Sequence, residues 1–99
     1  MEFQMLINGR MVDGADTMEV INPATGKPFA FCPRADAAQL DQAVAAARAA
    51  FPSWSATSWE ERRAVLEAIA GAIEAQAQEI AQVLTMEQGK PIAQAMEET

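Results

Sequence analysis

Cys32 is the one side chain in this sequence able to serve as a strong nucleophile. A thiol becomes reactive when a cation or a helix N-terminus stabilises its thiolate. Cys32 sits between Phe31 and Pro33 at the end of an apolar run, with Arg34 nearby. That setting reads as a small buried hydrophobe. There is no histidine, so no imidazole base and no Ser–His or Cys–His pair. Glu60/Glu61 and Glu97/Glu98 are adjacent carboxylates. On a helix such neighbours diverge by about 100° and do not converge on one substrate atom. They read as capping and solvated groups.

Gly26-Lys27-Pro28 and Gly89-Lys90-Pro91 place a lysine after a glycine, as phosphate loops do. In both, the following proline removes a backbone N–H that a phosphate cradle would use. No G-x-G-x-x-G and no G-x-x-x-x-G-K-[ST] is present. One cysteine and no histidine leave a Cys/His zinc site unsupported and exclude an internal disulfide. Trp54 and Trp59 flank a connector and read as core staples. The six methionines are scattered, which suits gap filling more than a metal stripe.

The elements that must carry these residues change character near position 35. Before it lie the turn formers Asn8-Gly9, Asp13-Gly14, Asn22-Pro23 and Gly26. Short apolar stretches between them predict strands over 3–7, 10–12, 17–21 and 29–32, assembled as an antiparallel meander. From Ala35 onward stand 19 of the 22 alanines, the strongest helix formers. Asp36 with Gln39 predicts a capping box for a helix ending at Phe51, ahead of Pro52. Ser58 with Glu61 predicts a second start, and Leu66, Ile69, Ile73, Ile80 and Leu84 mark one stripe down a helix to about Gln88. Gly89 suits a left-handed stop and Pro91 a restart. Ile92 and Met96 begin a third helix at the end of the sequence, and the reading is a chain cut short. The expected class is therefore an α+β fragment of an α/β enzyme: a short antiparallel meander, two long amphipathic helices and the start of a third. Residues 1–34 form the strands and 35–99 the helical region.

Composition bounds the partners. The 99 residues are 51% hydrophobic and 21% charged, enough apolar surface to collapse. Seven basic against 14 acidic residues give a net charge of −7, with six of those negative charges from residue 36 onward. No basic stripe is available for nucleic acid, and an anionic membrane would repel the chain. No apolar run is long enough to span a bilayer, and no basic stretch precedes an apolar one at the start. The expected compartment is the cytoplasm.

Five motifs, in order, carry a resemblance. They are Ile7-Asn8-Gly9; Asn22-Pro23-Ala24-Thr25-Gly26-Lys27-Pro28; Asp41 to Phe51 with Trp54 beyond it; Glu61-Arg62-Arg63 leading to Leu66, Ile69 and Ile73; and Glu87-Gln88-Gly89-Lys90-Pro91. Together they resemble the N-terminal segment of NAD(P)-dependent aldehyde dehydrogenases, over nearly the whole sequence. The resemblance implies part of the NAD-binding domain of a longer enzyme, its long helix helping to wall the substrate entrance. That enzyme oxidises an aldehyde to a carboxylic acid through a cysteine thioester, with hydride transfer to NAD or NADP. The catalytic and dinucleotide-binding residues of the family fall outside these motifs, and Cys32 does not match the catalytic cysteine. The chain alone is expected to be inactive and to bind no cofactor. The resemblance further implies a structural monovalent cation near Val20, Ile21 and Glu87, with another family ligand outside this chain. Uncovered apolar stripes imply a partner: the remainder of the enzyme or a copy of itself, in a homo-oligomer. A free-standing helical interaction module and a purely structural domain are the alternatives.

Overall fold

The computed structural model describes residues 2–99. They form four strands followed by four helices: β1 Met5–Ile7, β2 Arg10–Val12, β3 Asp16–Asn22, β4 Lys27–Arg34, α1 Ala37–Ser55, α2 Trp59–Glu74, α3 Ala77–Gln88 and α4 Ile92–Glu98. The α+β order expected from the composition break is the order observed. The residues cluster into two units. One runs up to Val20 and adds Pro28–Ala56; the other is Ile21–Lys27 with Thr57–Thr99.

In the first unit, β1 and β2 pair antiparallel with Met5 opposite Val12, Leu6 opposite Met11 and Ile7 opposite Arg10. Asn8 and Gly9 turn between them at φ 53° and 72°. Two successive positive φ angles are what a type I′ hairpin demands. The expected four-stranded meander is instead two separate two-stranded sheets, β1-β2 and β3-β4. The linker Asp13-Gly14-Ala15 explains the split. Gln39 Nε2 donates to the Asp13 carbonyl at 2.9 Å, and the Ala15 N–H donates to Gln39 Oε1 at 2.9 Å. Gly14 lies so close to β4 that a Cβ there would come within 2.6 Å of the Arg34 backbone nitrogen. The linker is thus held between the end of β4 and the start of α1, and no hairpin joins β2 to β3. Among the described residues of this unit, Ala30 on β4 is the buried one.

Helix α1 opens with the expected box. The Gln39 N–H donates to Asp36 Oδ1 at 2.8 Å, and the Asp36 N–H donates to Gln39 Oε1 at 3.3 Å. It does not stop at Phe51; Pro52 lies inside it. A proline cannot donate to the carbonyl four residues back, but it leaves the helix ahead of it free to continue. Here the Ala56 N–H and the Ser55 hydroxyl both donate to the Pro52 carbonyl, at 3.3 and 3.0 Å, and the Ser53 hydroxyl donates to Ala50. The sequence reads Ser53 to Thr57 as a connector, and its first three residues, Ser53 to Ser55, are the helix's last turn.

In the second unit, Ser58 and Glu61 form their reciprocal cap. The Ser58 N–H first, then its hydroxyl, with the neighbouring Arg62 charge, hold the Glu61 carboxyl below its ordinary pKa. The expected long helix is two helices. After Glu74 the ladder tightens: the Gln76 N–H donates to Ile73, three residues back, at 2.9 Å, and Gln76 adopts φ −114°, ψ 10°. Neither glycine nor proline marks this break, and the apolar stripe runs across it in register, so periodicity alone reads one helix. Gly89 ends α3 in the left-handed region, its N–H donating to Thr85 at 2.8 Å. Helices α3 and α4 then pack together, with Ala81 and Ala95 fully buried. Lys90 and Glu98 pair across the α3–α4 turn and α4.

Two outcomes follow. Gln39→Ala removes both halves of the linker clamp and one half of the cap, at a cost of about 1–2 kcal/mol, read from the denaturant midpoint. Gln39→Glu keeps the acceptor but loses the Asp13 bond, and falls between wild type and Gln39→Ala. For Glu61, a folded-state pKa below the unfolded one means that the cap's stabilisation is present above the ordinary glutamate value and is lost as pH falls from there through the lower folded-state one. Far-UV helicity of wild type therefore exceeds that of Glu61→Gln at pH 7, and the gap closes on acidification.

Candidate functional site

The structure keeps the candidate chemical groups apart. Cys32 is half-buried on β4 and unpaired in any disulfide. Glu61 is occupied in the α2 cap, and Glu98 in its ion pair with Lys90. Glu60 and Glu97 are exposed. Among the described residues, no three acidic, cysteine or histidine side chains gather as a metal cluster. An open groove in the first unit is lined by Phe3, Gln4, Asp13, Gly14 and Phe31. Its polar groups are partly spent on each other, since Gln4 Nε2 donates to Asp13 Oδ1 at 2.8 Å. No cation lines it, so it offers neither an anion site nor an activated base.

Of the predicted site residues, Ile21 and Glu87 belong to the second unit, which also holds the tip of the β3-β4 hairpin. Asn22 organises that tip. Its side-chain Oδ1 accepts from the Ala24 N–H at 2.9 Å, and its carbonyl accepts from Thr25 and Gly26 at 3.2 and 2.8 Å. This local bonding is why Asn-Pro-x-x-Gly makes a fixed turn. Gly26 takes φ 67° with open space around it. Against the same tip stands the end of α3. A Cβ on Gly89 would lie 3.0 Å from Cγ of Pro23. Ile21 and Glu87 each stand two residues before this contact pair, and both are exposed. Val20 belongs to the first unit.

Sequence reading did not single out Thr85. Its hydroxyl is buried without a hydrogen-bond partner among the described residues. A helical threonine ordinarily bonds back to the preceding turn. Nothing in residue type or spacing distinguishes this hydroxyl from one that does.

Gly89 is required twice over, by φ 74° and by Pro23. Gly89→Ala should cost about 1–2 kcal/mol for the left-handed backbone, with the Pro23 contact adding to it. Gly26→Ala meets the backbone cost alone and should melt at a higher temperature than Gly89→Ala.

With that geometry in hand, comparison with known proteins is direct. The family model described as the aldehyde dehydrogenase family matches residues 11–99. A probable aldehyde dehydrogenase from Pseudomonas sp is 44% identical over 93 residues, which is 94% of this chain and 19% of that protein. A 3,6-anhydro-alpha-L-galactose dehydrogenase from Streptomyces coelicolor is 45% identical over 83 residues, covering 84% of this chain and 17% of its own length. The crystal structure of an NAD-dependent aldehyde dehydrogenase from Sinorhizobium meliloti superposes with a TM-score of 0.93 at 38% identity, over 99% of this chain and 20% of that one. The chain spans about a fifth of the length of the relatives it matches. The family model matched over residues 11–99, and a fold that superposes over 99% of this chain on one such enzyme, make this chain a member of the aldehyde dehydrogenase family.

Proposed function

We propose that the chain is the N-terminal part of the nucleotide-binding domain of an NAD(P)-dependent aldehyde dehydrogenase, and that it is not catalytic by itself. The carrying observation is the superposition of nearly every residue on one fifth of a longer enzyme. The absence of any convergent nucleophile and base among the described residues agrees with it. In the whole enzyme, by family resemblance, a cysteine thiolate attacks the aldehyde carbonyl. Loss of hydride leaves a thioester, and water releases the carboxylic acid. Bound NAD or NADP supplies the hydride acceptor. The sequence offers no phosphate cradle for that dinucleotide, so this segment's part is to support the portion of the same domain that holds it.

The same reading gives Val20, Ile21 and Glu87 as the residues that would hold a structural monovalent cation. Backbone carbonyls and a carboxylate are the hard oxygen donors such an ion takes. The nearness of Pro23 to Gly89 supports pairing Ile21 with Glu87. The reading carries homo-oligomeric assembly and a cytoplasmic location. The latter agrees with a single cysteine and with there being, among the described residues, no helix long and apolar enough to cross a membrane.

The test is direct. Titrating NAD and NADP into the 99-residue chain gives no saturable binding and no aldehyde-dependent reduction. A polypeptide of family length carrying this segment reduces the nucleotide when an aldehyde is added. Micromolar binding to the 99-residue chain overturns the proposal.

A further inference from the structure

Two side chains of this sequence stand where their own backbone can attack them. A five-membered ring closes when the nitrogen after an asparagine or aspartate reaches that residue's Cγ. Glycine at the next position leaves the approach unobstructed. Asn8-Gly9 and Asp13-Gly14 meet the condition. Asn22, the other asparagine, is followed by Pro23, whose nitrogen carries no hydrogen. Gln88 would need a six-membered ring, and the N–H of Gly89 is already donated to Thr85 at 2.8 Å.

The structure separates the two glycine pairs. Asp13 is held by its side chain and by its peptide: Oδ1 accepts from Gln4 at 2.8 Å, and the carbonyl accepts from Gln39 at 2.9 Å. Gly14 is wedged beside Arg34, whose backbone nitrogen lies 2.6 Å from where a Cβ would stand. Rotating the Asp13–Gly14 peptide breaks that clamp. Asn8 and Gly9 are exposed, with nothing within 4 Å of a Cβ built on Gly9. Among the described residues no hydrogen bond engages the Asn8 carboxamide, the Asn8 carbonyl or the Gly9 N–H.

The backbone of Asn8 is already half-way to the ring. Closure brings the Gly9 nitrogen into line with Cβ, which sets ψ of Asn8 to about −120°; with φ of about 60° that is the first central residue of a type II′ turn. Asn8 holds φ 53°. One rotation of the Asn8–Gly9 peptide, from type I′ to type II′, therefore brings the reacting atoms together. Both turn types fit a two-residue hairpin, so the strands need not separate first.

We propose that Asn8 is a self-modifying site: the Gly9 nitrogen displaces ammonia from its carboxamide, and the succinimide so formed opens to aspartate or to isoaspartate, the latter releasing the β1-β2 pairing. The N–Cγ bond forms as the bond from Cγ to the carboxamide nitrogen breaks, and the proton lost by Gly9 leaves with the ammonia. Water then adds to one ring carbonyl. Addition at Cγ restores the main chain as aspartate; addition at the α-carbonyl leaves the main chain running through Cβ and Cγ. Both products add one negative charge to a chain already at −7. Aspartate tolerates the left-handed region as asparagine does, and the hairpin survives. Isoaspartate lengthens a two-residue loop whose length sets the register, and the Met5–Val12, Leu6–Met11 and Ile7–Arg10 pairs depend on that register.

Trypsin separates the reporters. Residues 1–10 carry Asn8, and residues 11–34 carry Asp13 and Asn22, because Lys27 precedes proline and is not cut. The 99-residue chain is kept warm at mildly alkaline pH, native and in urea. Each peptide is followed by mass and by isoaspartate-specific methylation. Native Asn8 loses its carboxamide within about tenfold of its rate in urea, while isoaspartate at Asp13 is slowed by more than that factor, and Asn22 stays intact. In the isoaspartate form, β1 and β2 amides exchange about tenfold or more faster than in fresh protein. Asn8→Asp exchanges as fresh protein does, and Asn8→Gly, compatible with the same turn, keeps the pairing and releases no ammonia from this peptide. Three results overturn the proposal: Asn8 slowed in the native chain as strongly as Asp13, Asp13 modified as fast in the native chain as in urea, or isoaspartate at Asn8 with β1-β2 exchange unchanged.

Discussion

The carboxamide of Gln39 is the point on which the first half of the chain turns. One oxygen accepts from both Ala15 and Asp36, and one nitrogen donates to the Asp13 carbonyl. Three backbone groups from two segments are thereby satisfied by one side chain. A linker without secondary structure has few backbone hydrogen-bond partners of its own. By filling that need, Gln39 fixes where β2 ends, how β3 departs and where α1 begins. Gly14 completes the arrangement, because only a residue without Cβ fits beside the Arg34 backbone.

This interaction also shows what residue order conveys and what it hides. Asp36-x-x-Gln39 is visible as a capping box, and so are Ser58-x-x-Glu61, the Asn8-Gly9 turn and the Gly89 stop, since each is written in four or five consecutive residues. The second role of Gln39, 26 residues from Asp13, has no local signature. The single meander was the natural inference because short strands joined by turn formers ordinarily pair in sequence. The long helix through residue 76 failed for a related reason. Its apolar stripe stays in phase from Leu66 to Leu84, so the break is a backbone event that periodicity does not register. Proline at 52 signals a stop by its missing N–H, yet Ser53 and Ser55 carry the helix one turn past it.

The candidate site was legible chiefly through likeness. Asn22-Pro23 and Gly89 are recognisable turn chemistry, but nothing in their types shows that Pro23 and Gly89 stand against each other 66 positions apart. Thr85 had no signal at all. What elementary chemistry did convey was a shortage of candidates: the sequence has no histidine and no phosphate-cradle motif, and its adjacent carboxylates diverge. Family membership then explains that shortage, since the matched portion is one fifth of the relatives' length.

Among the described residues the buried ones are Ala30, Ala81 and Ala95, three methyl groups in place of the branched and aromatic side chains that usually fill an interior. Heat capacity on unfolding scales with the apolar area newly wetted, and so does sensitivity to urea. A chain whose fully covered side chains are methyl groups exposes comparatively little new apolar area on unfolding.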